Sequence, residues 1–119
     1  MKHVINDKAF SQYARILDKN ENYYYNLHGS SIVLFLKVRE RHFNELLKLQ
    51  GYVLLNDVYE SLGLSRVQEY DNVGWLYNEE NPVGDNFIDF GLYDLTKLMN
   101  GIDDEHIILD FNVDRVIRY

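Results

Sequence analysis

VGWLYNEENPVGDNFIDFGLYD, residues 73–94, holds the sole Trp, the sole Pro and three of the seven Gly of this 119-residue chain, with an apolar run on each side of one polar loop. Asn81, Pro82, Gly84 and Asp85 are turn formers, either by fixing or freeing the backbone or by bonding their own main chain. The stretch predicts a long-looped β-hairpin. Trp75 and Tyr77 would share one face of its first arm, and Phe87, Asp89 and Gly91 one face of its second. Further on, HIILDFNV, residues 106–113, alternates Ile107, Leu109, Phe111 and Val113 with His106, Ile108, Asp110 and Asn112. That period of two predicts a central or half-buried strand with the pattern to join the hairpin.

Upstream, Ile32, Phe35, Leu36, Phe43, Leu46 and Leu47 fall on one helical face, while Lys37, Glu40, Glu45 and Lys48 lie largely away from it. This predicts a main helix over about 31–50, with Ser31 near its start and Gly51 closing it. GYVLL, residues 51–55, reads as a short buried strand or extended link. Asp57 and Glu60 are spaced as in a capping box, predicting a second helix over about 56–62 that Gly63 stops. Residues 64–72 are polar and loop-like, and a helical turn fits 94–100. At the amino terminus, residues 1–12 suit a short helix with Asn6 or Asp7 as N-cap. In YARILDKNENYYYNL, apolar and aromatic runs flank DKNEN, predicting a second hairpin over 14–27. The expected fold is a single α+β domain over residues 1–119, a small antiparallel sheet packed by the two helices.

Composition narrows function more than it names one. With 46% hydrophobic and 14% aromatic residues the chain is globular, and its length suffices to bury roughly two-thirds of the unfolded surface. Nineteen acidic against 12 basic residues give a net charge of -7, which disfavours direct nucleic-acid binding. The only dense basic run, Lys37, Arg39 and Arg41, is interrupted by Glu40 and suits a solvated helix face. Zero cysteines exclude disulfides, thiolate zinc sites and a Cys nucleophile. MKHVINDKAF lacks the apolar core of a signal peptide, and the longest apolar run, Ile32 to Leu36, is too short to span a bilayer. The expectation is a cytoplasmic protein without a membrane contact.

The order GYVLLNDVYESLGL, EYDNVGW, GDNFIDFGLYD and HIILDFNVD resembles an uncharacterised group of phage and prophage proteins of Gram-positive bacteria. The match covers about residues 39–117 and is carried by Gly51, Leu55, Asn56, Leu62, Gly63, Gly74, Trp75, Asp85, Ile88, Asp89, Phe90, Leu109, Asp110 and Phe111. Longer members of that group set a hydrophobic membrane segment ahead of this module, and membrane attachment is not expected to carry over to this sequence. The resemblance implies an origin in a phage or mobile element within a bacterial host cytosol. It implies no reaction.

Two echoing pieces, Ile88-Asp89-Phe90 and Leu109-Asp110-Phe111, each place a carboxylate between large apolar groups. Converging, Asp89 and Asp110 could hold Mg²⁺ or Ca²⁺ with help from Asp85, Asp94, Asp103 or Asp104, or divide acid and base roles. The competing reading is that each faces water or binds neighbouring backbone N–H groups, and it is the stronger one. GDNFIDFG lacks the repeated Asp and closing Glu of a calcium loop. His3, His28, His42 and His106 show no metal-ligand spacing, and neither a phosphate loop nor a nucleophile elbow is present. No cofactor is expected, and catalysis is the minority expectation. Tyr23, Tyr24 and Tyr25 offer large amphipathic contact area, and with Asp103, Asp104 and Glu105 they are the candidate protein-binding residues.

The favoured expectation is therefore a noncatalytic accessory protein of a phage or mobile element. It would bind a protein partner, such as a basic nucleic-acid-handling or defence protein of the host, through an acidic surface. A small metal-dependent hydrolase using Asp89 and Asp110, and a self-assembling or virion component, are the alternatives.

Overall fold

The computed structural model describes residues 10–78, 86–91, 106–113 and 115–117. Strand β1 (Arg15–Asp18) leads through a tight turn into helix α1 (Tyr23–His28). A 3-10 turn at Gly29–Ser31 passes directly into the 19-residue helix α2 (Ile32–Gln50). Strand β2 (Tyr52–Leu54) and helix α3 (Leu55–Ser61) follow, then a loop with a 3-10 turn at Gln68–Tyr70. Strands β3 (Val73–Leu76), β4 (His106–Leu109) and β5 (Arg115–Val116) complete the described elements. The α+β expectation holds, but the β structure divides into two antiparallel sheets, β1–β4 and β2–β3–β5.

Local chemistry explains the helix ends. At Gly51 the backbone turns to φ 88°, and its N–H donates to the Leu47 carbonyl at 2.9 Å, closing α2 where the glycine was expected to. After α3, Gly63 adopts φ 77° while Leu64 N–H returns to the Tyr59 carbonyl at 2.9 Å and Gly63 N–H to that of Glu60 at 3.1 Å. This pair of bonds satisfies the last carbonyls of a helix that cannot continue. Asp57 and Glu60 do not form the expected capping box, because α3 already begins at Leu55. Both carboxylates instead pair with Arg66, at 3.1 and 3.2 Å.

One core joins the elements. Ile32, Leu36, Phe43 and Leu47 of α2 meet Leu55, Val58, Tyr59 and Leu62 around α3, with Trp75, Ile88, Phe90, Leu109 and Phe111 filling the space between. The Phe111 ring meets Phe90 edge-on at 5.2 Å and Tyr59 at 5.5 Å. Each large side chain removed from water contributes about 1.5–3 kcal/mol, so this shared interior outweighs any single polar contact. The alternation read from residues 106–113 is realised: Ile107, Leu109 and Phe111 are buried, and Ile108, Asp110 and Asn112 are half-buried.

Two pairings differ from expectation. The hairpin predicted over 73–94 supplies β3, but its second arm does not ladder with the first. Both edges of β3 are taken, Val53 lying opposite Trp75 and Val116 opposite Val73. Residues 87–91 still keep a strand's alternation, with Ile88 and Phe90 buried. The hairpin predicted over 14–27 supplies β1, whose register is with β4, Leu17 opposite Ile107. Its second arm is α1, since Asn22 acts as N-cap, its Oδ1 accepting the Tyr25 N–H at 3.0 Å. The readings over 1–9, 79–85 and 92–105 lie outside the described residues.

Gly74 is the tightest point of the central strand. A Cβ there would fall onto the Val53 carbonyl oxygen and lie 2.9 Å from the Leu54 Cα. Gly74→Ala is therefore expected to push β2 from β3 and to destabilise by at least about 1–3 kcal/mol, the usual cost of overpacking. A lowered urea midpoint at unchanged slope checks this.

Candidate functional site

The region around Asp89 is built from α2, residues 87–91 and residues 110–112. Glu40 and Asn44, four apart on α2, lie one helical turn above each other and face residues 88–90. Asn44 Oδ1 accepts the Ile88 N–H at 2.7 Å, and its Nδ2 donates to the Ile88 carbonyl at 2.9 Å. Glu40 Oε2 accepts the Phe90 N–H at 2.8 Å. On the opposite edge, Asn112 Oδ1 accepts the Asp89 N–H at 2.7 Å, and Asn112 Nδ2 donates to the Phe87 carbonyl at 3.1 Å. The indole Nε1–H of Trp75 is shared between the carbonyl and Oδ1 of Asn112, at 2.9 and 3.0 Å. Two backbone bonds, Asp110 N–H to Phe90 and Asn112 N–H to Asp89, both 3.1 Å, complete the pairing.

Asp89 and Asp110 thus lie on adjacent backbone segments, yet their carboxylates serve separate local tasks. Asp89 Oδ1 accepts the Gly91 N–H at 2.7 Å, an Asx-type turn that places Gly91 at φ 76° against the Asp110 backbone. Asp110 accepts the Ser11 N–H at 3.0 Å and the Ser11 hydroxyl at 2.5 Å, pinning the chain just ahead of β1. Among the described residues no three His, Cys, Asp or Glu side chains gather as a metal would require. Asp85, Asp94, Asp103, Asp104 and Glu105 lie outside the described residues.

The ionisable group with a shifted pKa here is Glu40, which was read only as a surface position. Burial raises its pKa above the ordinary value and the nearby Asp89 charge adds to this, while the Phe90 N–H and Lys37 pull it back. Its functional signal in the sequence was a Glu and an Asn at i and i+4 on the flank of an apolar helix face, a pattern shared with ordinary solvated helices. Tyr59, which donates its hydroxyl to the Tyr13 carbonyl at 2.7 Å, is pushed up to about 12 chiefly by burial.

The three consecutive tyrosines sit on α1, so the helical turn separates them. Tyr25 enters the core, and Tyr24 stacks on Phe35 of α2 with ring centres 5.0 Å apart. Tyr23 meets Tyr24 edge-on at 5.3 Å and stays 68% exposed, with Leu27, four residues along, 60% exposed. Beside this pair opens a cleft of about 280 Å³ lined by Asn20, Glu21, Asn22, Tyr23, Asn26 and Leu27. A neighbouring cleft of about 200 Å³ shares Glu21 and Asn22 and adds Arg15, Asp18 and Gly63. Of the histidines, His28 stacks on Phe35 at 4.6 Å and His42 packs edge-on to Phe43 at 5.2 Å.

A family model matches residues 2–119, and the chain belongs to that family, a family of unknown function designated DUF6353. No curated protein and no solved structure matches the chain. No helix among the described residues is long and apolar enough to cross a membrane.

Two predictions follow from the clamp on residues 87–91. Asn44→Ala strands the N–H and C=O of the buried Ile88 and is expected to cost about 1–3 kcal/mol, whereas Asp110→Asn keeps an acceptor for Ser11 and should cost under about 1 kcal/mol. Urea midpoints of the two variants give the comparison. Glu40 titrates with a folded pKa above its ordinary 4.5. Its stabilising contribution is then fully present below the unfolded pKa and lost as pH rises through the folded one. Glu40→Gln, which does not ionise, should therefore gain stability relative to the native chain as pH rises from below the ordinary value toward the raised folded pKa, and level off above it.

Proposed function

We propose that the protein is a noncatalytic accessory protein of a phage or mobile element, working in a bacterial host cytosol by binding a protein partner that carries basic residues. The observation that carries this reading is the corner where the β1–α1 turn meets α1. There Tyr23 and Leu27 stand out from a short helix beside Glu21 and the Asp18 turn, next to an open cleft. Tyr supplies wide, rigid contact area at low entropy cost, and a flanking carboxylate favours a cationic group at the rim.

The inner chemistry supports the same direction. Asp89 and Asp110 are engaged by Gly91 and Ser11, and Glu40 by Phe90, so these carboxylates brace backbone. A chain of net charge -7 suits a basic partner, and competition for a groove that otherwise holds nucleic acid is one concrete mode of action.

The test is capture from lysate of a Gram-positive host, comparing the native chain with Tyr23→Ala, Leu27→Asp and, as a control away from the corner, Asp110→Asn. The partner is expected to be retained by the control, lost roughly tenfold or more with either corner variant, and released as ionic strength exceeds the range in which rim charges act. A partner indifferent to Tyr23 and Leu27 would sink the proposal.

A further inference from the structure

The outer face of α2 is a second exposed surface, built differently from the Tyr23 corner on α1. Leu34, Val38 and Leu49 are 66, 58 and 84% exposed, three large aliphatic side chains on a helix whose opposite side fills the core. At 100° per residue, Leu34, Val38, Arg41, Glu45 and Leu49 fall within an arc of about 80°. The stripe thus reads apolar, cationic, anionic, apolar along about 22 Å of helix.

We propose that a second copy of this chain packs antiparallel along this face, with a twofold axis between Arg41 and Glu45. In that register Leu49 of one copy falls between Leu34 and Val38 of the other, a knob against a hole formed by residues four apart. Arg41 of each copy meets Glu45 of the other, so one charge pair is made twice by symmetry, as an isologous contact requires. A parallel pairing would set Arg41 against Arg41 and leave Leu49 facing its own equivalent. Lys37 flanks the same glutamate in the antiparallel register. Lys48 stands opposite Lys37 at the rim, where both are exposed and water screens them. A contact confined to one helix pair is smaller than a standard interface, so the dimer forms and dissociates with concentration.

Sedimentation across about 1 to about 500 µM is expected to show the mass rising from one 14.2 kDa chain toward two. Leu49→Lys should hold the protein monomeric, with unchanged circular dichroism showing that the exposed site leaves the fold intact. Arg41→Glu and Glu45→Arg should each weaken association about tenfold or more, and the double exchange R41E/E45R should restore it to within about threefold. Since the sequence contains no cysteine, orientation is read by oxidation. A mixture of Leu34→Cys and Leu49→Cys chains should yield a mixed disulfide dimer, and neither chain alone should cross-link. A single mass at every concentration, a dimer indifferent to the charge exchange, or Leu34→Cys cross-linking to itself would each overturn the proposal.

Discussion

A primary amide carries a donor and an acceptor side by side, like a peptide group, and this fold depends on that likeness. Asn44 makes a two-bond ring with the N–H and C=O of Ile88, Asn56 does the same with Val67, and Asn86 with Asn78. Each stands where a neighbouring strand would otherwise supply both bonds. Among the described residues the sheets alone do not do it, for they have two and three strands and β5 spans Arg115–Val116. Buried backbone must still be paired, and an unpaired group costs about 1–3 kcal/mol. At Ile88 and Val67 an asparagine amide thus takes the place of a strand on one edge of a segment packed against the core.

That substitution also accounts for what was legible in the sequence. Hydrophobic period survives when a ladder is replaced by amides, because burial is decided by side-chain facing and not by who accepts the backbone bonds. The α2 face, the Gly51 and Gly63 stops and the alternation at 106–113 were therefore readable, and Ile88 and Phe90 are buried as a strand's residues would be. Pairing partners were not readable, since nothing in VGWLY records that β2 and β5 occupy both its edges. Tyr23 to Leu27 misled for a related reason. Aromatic residues favour strands, but a single Asn at 22 capping the next turn outweighed that preference. At the site, Asp89 and Asp110 were legible as carboxylates between apolar groups. The Asn44, Asn112 and Glu40 clamp was not, as a helical Asn or Glu at the flank of an apolar face carries no mark of a backbone partner 44 or 50 residues away.

Asn112 shows how much one such residue coordinates. It accepts from Trp75 and Asp89, donates to Phe87, and pairs its own backbone with Asp89. Through it β3, residues 87–91 and the segment after β4 share one polar junction at the indole N–H of Trp75. Asn22 plays a similar part at the other end, capping α1 with Oδ1 while its Nδ2 donates to the Leu62 carbonyl at 2.9 Å, so that α1 is anchored to the end of α3. The corner that exposes Tyr23 is therefore held by the interior and is presented in a fixed geometry, which lowers the ordering cost of any contact made there.

On α2, Glu40 is the carboxylate beside the Asn44 amide in the clamp on residues 88–90. The choice has opposing consequences. A charged acceptor makes the stronger bond to the Phe90 N–H, yet half-burial and the nearby Asp89 penalise the charge, and the raised pKa shows that the penalty wins. A glutamine would present an acceptor without that loss but would bring an NH₂ group needing its own partner beside the Ile88–Asn44 ring. Glutamate adds no second donor, so it satisfies Phe90 and leaves the amide ring undisturbed. The clamp is thus tuned to avoid an orphaned donor at the expense of an ionisation that the solvent, still reaching part of the carboxylate, only partly relieves.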